Sequence, residues 1–247
     1  MHKFVIVIPS YNNHPWAQQN IVSALTQNHP NFRIIFTDDC SSDKTFDITK
    51  ENCAKHPNVK ADLIQNTKRN GAMCNLYNMI SHCASDEIVV TLDGDDWLPH
   101  PDVLIRLEKE YDKGFWMTYG QCLSVSNRRP GPSRPLPNDI IAYNNFRKYD
   151  WCTSHLRSFY AGLFQKINVR DLKDNNENFY QMAWDLCMMF PMLEMSGARS
   201  SYINDVLYMY NDLTPFNDFK VNLALQQQLD QEIRTRPPYQ LLGRTQW

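Results

Sequence analysis

The sequence lacks a long apolar run. Short stretches such as Phe4–Ile8 and Ile88–Val90 fall far below the roughly 20 residues a helix needs to cross a bilayer, so no transmembrane segment is expected. The first of these runs breaks at once into Pro9-Ser10-Tyr11-Asn12, which argues against a signal peptide. An excess of one charge is also missing. Twenty-five Lys and Arg stand against 27 Asp and Glu, for a net charge of −2, and no basic run stands out. That removes the electrostatic footprint of a nucleic-acid binder. Glycine is scarce, at 8 of 247 residues. There is no GxxxxGK[ST], no GxGxxG and no GxSxG, which disfavours P-loop, dinucleotide and serine-hydrolase chemistry. The seven cysteines form no CxxC pair. Their odd number and scattered spacing suit reduced thiols in a cytoplasmic protein rather than a zinc site or a disulfide framework.

What is present is an alternation of strand and helix. Strands are expected at Lys3–Ile8, Phe32–Thr37, Val59–Gln65, Ile88–Leu92 and Trp116–Ser126, with helices at about 15–26, 44–54, 71–83 and 101–111. Ala72, Leu76, Met79, Ile80 and Cys83 recur at helical spacing and mark the clearest of these helices. The order βαβαβαβ predicts an α/β fold with a doubly wound, mostly parallel central sheet and helices on both faces. Beyond it, four prolines and a glycine in Arg128–Asp139 predict a loop able to close over a ligand. Further elements are expected as a helix at Asn178–Ser196, kinked or broken at Pro191, a strand at Ser201–Tyr210 and a helix at Phe219–Arg234. The chain reads as a single domain (1–247), with a nucleotide half at 1–125 and a less regular acceptor half at 126–247.

Polar clusters follow the strand ends, where open α/β sheets bind ligands. Asp93-Gly94-Asp95-Asp96 packs three carboxylates into four residues; they repel one another unless a cation sits among them, and hard oxygens suit Mg²⁺ or Mn²⁺. The competing reading is a solvated acidic turn that caps the next helix. Asp38 and Asp39 end the second strand, where an acceptor-only carboxylate can take a ring N–H and a ribose hydroxyl of a nucleoside. Ser10-Tyr11-Asn12 end the first, with Tyr11 able to stack on a base or merely to terminate a strand. Lys68 and Arg69 precede a helix N-terminus, an anion site or a charged surface loop.

Together and in this order, IVIPSYNN, FTDDCSSDKTFD, NTKRNGAMCNLYN and VTLDGDDWLPHPDVL resemble the family-2 glycosyltransferases of GT-A fold, over about residues 3–107. The resemblance implies an inverting, metal-dependent enzyme that moves a sugar from a nucleotide diphosphate donor, expected to be a UDP-sugar, to a glycan, protein-linked or lipid-linked acceptor. It implies that Ser10, Tyr11, Asp38 and Asp39 hold the nucleoside, that Arg69 lies near the base or diphosphate, and that Asp93 and Asp95 are the DxD element, with Asp95 the more direct ligand to Mn²⁺ or Mg²⁺ and Asp96 in support. Thr153–Phe159 (TSHLRSF) looks like a segment of bacterial chondroitin-polymerase-type transferases, which implies His155 as a further metal ligand; a lone histidine can equally be a satisfied structural one. Asp185, in Ala183-Trp184-Asp185-Leu186, sits about where inverting members place the catalytic base, although Trp184 departs from the acidic pair expected there. Asp171 and Glu194 are the spare carboxylates, and Arg157 or Lys68 would add positive charge for the leaving group. The expected location is cytoplasmic, compatible with a peripheral association with a membrane. Two other classes share these features: a metal-dependent nucleotidyltransferase, which would carry a Gly- and Lys/Arg-rich loop after its first strand, and a non-catalytic nucleotide-sugar-binding domain.

Overall fold

The fold was established from a computed structural model, which describes residues 1–214 and 222–243. The first half follows the expected alternation: β1 (Lys3–Ser10), α1 (Ala17–Leu25), β2 (Phe32–Asp38), α2 (Thr45–Ala54), β3 (Lys60–Gln65), α3 (Ala72–Ser81), β4 (Glu87–Thr91), α4 (Val103–Tyr111) and β5 (Met117–Ser124). The second half adds α5 (Asn138–Ala142), β6 (Ser158–Tyr160), α6 (Ala161–Phe164), α7 (Trp184–Ser196), β7 (Ser200–Tyr210) and α8 (Leu223–Thr235). One seven-stranded sheet runs β3-β2-β1-β4-β6-β5-β7. The pairs β1/β2, β2/β3, β1/β4 and β5/β7 are parallel, while β6 is antiparallel to both neighbours.

Alternation along β1 divides the core. Phe4, Ile6 and Ile8 pack on one face with Ile21 of α1 and Leu104 and Leu107 of α4. Val5 and Val7 pack on the other with Met73, Leu76 and Ile80 of α3 and Met188 of α7. A strand covered on both faces reads as a continuous apolar run, as parallel strands do. Each side chain fully buried in this way contributes about 1.5–3 kcal/mol. In α3 the buried stripe starts at Met73, with Ala72 only partly covered.

Three features of the second half differ from expectation. β6 was not anticipated, because the three residues Ser158–Tyr160 offer no periodicity. α7 begins at Trp184 rather than Asn178, since Ala183 has φ 54°, a left-handed conformation that cannot lie inside a right-handed helix. Residues 173–179 instead form a small bridged turn, with Asp174 Oδ1 accepting from Asn176 N and Asn178 N. The helix then continues through Pro191 to Ser196; its tightly buried surroundings hold the turn that proline would otherwise open. The expected helix start at Phe219 lies outside the described residues, and α8 is seen from Leu223.

Candidate active site

The carboxyl ends of β1, β2 and β4 meet at one edge, and backbone pairing fixes their relative height. Ser10 lies opposite Asp38. Gly94 N donates to Pro9 O at 3.1 Å, and Asp39 N donates to Ser10 O at 2.8 Å. The acidic turn is anchored from below by Asn20 of α1, which is buried and whose Nδ2 donates to Asp93 O and Asp96 O, both at 2.8 Å. Gly94 is required by proximity: a Cβ there would stand 2.4 Å from Ser10 Oγ.

Antiparallel β6 brings the second half to this edge. Its Ser158 pairs with Val90 of β4 and Thr118 of β5, and Thr91 N donates to Arg157 O at 3.1 Å. Because β6 runs against β4, the residues before it, Ser154 to Arg157, emerge where β4 ends. His155 Nε2 thus stands 3.3 Å from Asp93 Oδ2, and its Nδ1 lies 3.1 Å from Ser154 Oγ. The imidazole is stacked on Tyr208 and Tyr210 of β7, at ring centroid distances of 4.4 and 5.7 Å. Ligand atoms of Asp93, Asp96 and His155 all lie within 4.8 Å of one another. Two oxygens and an imidazole form a donor set suited to Mn²⁺. Asp95 lines the same cleft beside them, and Asp96, expected only in support, is one of the three.

Electrostatics agree with a site built for a cation. Burial pushes the Asp96 carboxyl well up, and repulsion from Asp95 and Asp93 adds to it. Burial acts the same way on Asp93, but His155, Arg157 and the Tyr208 hydroxyl together bring it below the ordinary value. Burial and the nearby Arg157 cation lower His155 despite the attraction of Asp93, which favours the neutral imidazole, the form that ligates metals.

The sequence-selected residues separate into groups. Tyr11 and Arg69 both line the cleft, with the Arg69 guanidinium 4.1 Å from the centre of the Tyr11 ring. Ser10 is buried and accepts from Asn13 Nδ2 at 3.1 Å. Asp39 is also buried and accepts from Asn66 Nδ2, Asn70 N and Gly71 N at 2.8–2.9 Å. Burial alone would raise this carboxyl; the bonds from Asn70, Asn75, Asn66 and Gly71 outweigh it and hold it down. Asp39 therefore ties the β3–α3 loop to β2. Asp38 is buried too, with Oδ2 accepting from Ser41 N at 3.0 Å and Oδ1 left without a partner.

Asp185 lies in the first turn of α7 and lines the same cleft. Its Oδ2 accepts from Arg157 Nη2 at 3.2 Å and its Oδ1 from Leu186 N at 3.0 Å. Arg157 is 2% exposed, and its Nε and Nη1 have no partner. The cleft, about 670 Å³, is also lined by Asn127, Arg129 and Pro130–Pro132 of the proline-rich loop, and by Trp184, Asp212 and Gln226. Burial raises the Asp212 carboxyl, but hydrogen bonds from Ser124 and Ser126 bring it to about 2. The remaining candidates lie elsewhere. Glu194 is buried against Arg147, Asp171 bonds Tyr239 and Arg236, and Lys68 is not among the cleft-lining residues. Sequence reasoning passed over Asn20, although a buried amide on the apolar face of Ala17, Ile21 and Ala24 was a readable signal. Tyr208 and Tyr210 carried none, being ordinary strand aromatics.

The family model described as "Glycosyl transferase family 2" matches residues 5–170. The chain belongs to glycosyl transferase family 2. A relative from Campylobacter jejuni, named GalNAc(5)-diNAcBac-PP-undecaprenol beta-1,3-glucosyltransferase, is 27% identical over 185 residues, covering 73% of this chain and 57% of that protein. The putative glycosyltransferase EpsE of Bacillus subtilis is 34% identical over 108 residues, 44% of this chain and 37% of its own. The chain thus spans about a third to somewhat over half the length of these relatives. Among solved structures, Staphylococcus aureus TarS superposes with a TM-score of 0.66 at 19% identity, over 85% of this chain and 36% of that one. The mannosyltransferase PcManGT of Pyrobaculum calidifontis, solved with GDP-Man and Mn²⁺, gives 0.65 at 20% identity over 96% and 66%. These likenesses establish the GT-A fold for this family-2 chain. The likeness of Thr153–Phe159 to chondroitin-polymerase-type transferases rests on those residues alone. No helix among the described residues is long and apolar enough to cross a membrane.

Proposed function

We propose that this chain transfers a sugar from a nucleoside diphosphate donor, a UDP-sugar, to a hydroxyl of a glycan, protein-linked or lipid-linked saccharide, with inversion at the anomeric carbon. The observation that carries the reading is the convergence of Asp93, Asp96, His155 and Asp185 on one cleft at the carboxyl edge of the sheet. Family membership supports it, as do the names of relatives: TarS has been solved with UDP-GlcNAc, and PcManGT with GDP-Man and Mn²⁺.

Residues 1–125 form the donor half. Tyr11 offers a ring face to the base, with Arg69 as its cationic neighbour, and Asp38 supplies the unpartnered carboxylate oxygen at the end of β2. Asp39 acts by shaping the loop that carries Arg69. Asp93, Asp96 and His155, with Asp95 beside them, would hold Mn²⁺ or Mg²⁺, which when bound neutralises charge on the donor diphosphate. Residues from 126 onward form the acceptor half. There Asp185, oriented by Arg157 and by Leu186 N–H, takes the proton of the attacking hydroxyl. Arg157 adds positive potential beneath the acidic turn. A single displacement needs no covalent intermediate, hence inversion.

The test is a panel of nucleotide sugars with Mn²⁺ or with chelator, on the wild type, Asp93→Ala and Asp95→Ala. Metal-dependent release of a nucleoside diphosphate, abolished by Asp93→Ala, is expected. Release of pyrophosphate from nucleoside triphosphates would assign the cleft to nucleotidyl transfer, and a product of retained anomeric configuration would overturn the role of Asp185.

A further inference from the structure

Trp184 stands immediately before Asp185, at the first position of α7. It is half-buried, lines the cleft, and has no aromatic ring partner among the described residues. Its indole N–H donates to no described residue and is not sealed from solvent. The ring packs in part against the apolar core of α3 and α7, and the Arg157 guanidinium lies 5.3 Å from its centre. The same guanidinium bonds the Asp185 carboxylate. One buried cation therefore fastens both the ring and the carboxylate at a single helix end.

We propose that Trp184 is the platform for the acceptor, which is a pyranose ring that lays an apolar C–H face on the indole. The inference rests on the transferase reading above and names the acceptor class for it. Large aromatic rings left open in a cleft, with a free polar tip, are surfaces prepared for ligands that are apolar on one side and polar at the edge. A pyranose with mainly equatorial hydroxyls has that character: C–H groups on its faces and hydroxyls around its rim. Trp184 and Asp185 are adjacent in the first turn of α7 and both line the cleft. A sugar seated on the ring then directs a rim hydroxyl toward Asp185. The indole N–H is left to bind a second hydroxyl or a ring substituent. Arg157, buried behind both, keeps the platform and the proton acceptor in fixed relation.

The experiment compares Trp184→Phe with Trp184→Leu. Both variants fill volume and only the first keeps a π face. The acceptors are p-nitrophenyl β-glucoside, β-galactoside and β-N-acetylglucosaminide, used with whichever nucleotide sugar the wild type turns over with Mn²⁺. Acceptor binding is read in parallel by saturation-transfer NMR in the presence of UDP and Mn²⁺. Trp184→Phe should keep the acceptor KM within about threefold, and Trp184→Leu should raise it by about tenfold or more, with the donor KM moving less than about threefold in both. Equal acceptor KM values in the two variants would reduce Trp184 to a filler and overturn the platform. A donor KM that rises with the acceptor KM would move the ring to the donor side and overturn it as well. A wild type that releases the nucleotide yet binds none of the pyranosides would refute the platform and leave the transferase reading standing. Failure to turn over any nucleotide sugar would instead refute the transferase reading itself.

Discussion

Tyr11 and Asp93 reach the cleft from the ends of neighbouring parallel strands, whereas His155, Arg157 and Asp185 reach it from an antiparallel insertion and a helix start. On the first side, placement is done by the backbone. Pro9 O, Ser10 O and the Asn70 and Gly71 N–H groups tie one strand end to the next, and a short polar motif after each strand suffices to announce the site. On the second side, placement is done by buried charge. Arg157 holds Asp185, and Arg147 holds Glu194 of α7 at 2.5 Å while also donating to Ile233 O of α8. The lesson is that a binding edge built on a regular sheet is placed by backbone pairing, while one assembled from ion pairs depends on single side chains.

That contrast can be broken in order of size. Asp185→Asn should lower transfer by about 10²–10⁴-fold, the usual worth of a general base, with nucleotide affinity by calorimetry little changed. An equal loss of nucleotide affinity would erase the boundary between the two halves. Arg147→Ala leaves Glu194 buried without its cation, and urea unfolding should show a loss of about 3–5 kcal/mol. A loss below 1 kcal/mol would mean that α7 is held by apolar packing alone.

Asp39→Asn sharpens the donor side. An amide at that position faces N–H donors on both oxygens, so the cost should be about 1–3 kcal/mol. Because the folded carboxyl is held below its unfolded value, this stabilisation is complete above the ordinary carboxylate range near pH 4. It fades as pH falls through the depressed folded value, so wild type and variant should converge in strong acid. Melting curves from pH 7 down to pH 2 test the direction; convergence at high pH instead would contradict it. His155→Ala should weaken Mn²⁺ affinity by about 10–100-fold with no comparable change in melting temperature without metal. A parallel loss of both would make His155 a packing residue between Asp93 and Tyr208. The smallest effect belongs to the exposed pair Lys3–Asp86, where Lys3→Ala should leave the melting temperature unchanged within error.

Most of the donor half was legible in the sequence, because its elements are local. β1, β2 and β4 are apolar runs rich in β-branched residues, α3 carries a 3.6-residue stripe, and the polar clusters follow strand ends. The acceptor half was legible only in parts. His155 and Asp185 could be selected by resemblance, but nothing local in Ser158-Phe159-Tyr160 says that these residues wedge between β4 and β5. That pairing is long-range and only three residues long. The place of Asp96 in the three-residue cluster was beyond reach for a related reason. Asp96 is held by Asn211, whose N–H bonds Asp96 Oδ1 at 2.6 Å and whose Nδ2 bonds Asp95 O at 3.1 Å, more than a hundred positions away along the chain.

The shortness of β6 has a further consequence. Its pairing with Val90 fixes the height of the residues just before it. With Ser158 locked opposite Val90, His155 stands at the acidic turn and Leu156 is buried in the core. Adding or removing a single residue between 155 and 158 would carry His155 away from Asp93 and Leu156 out of its core position. Across these few positions the chain's length is as constrained as its chemistry.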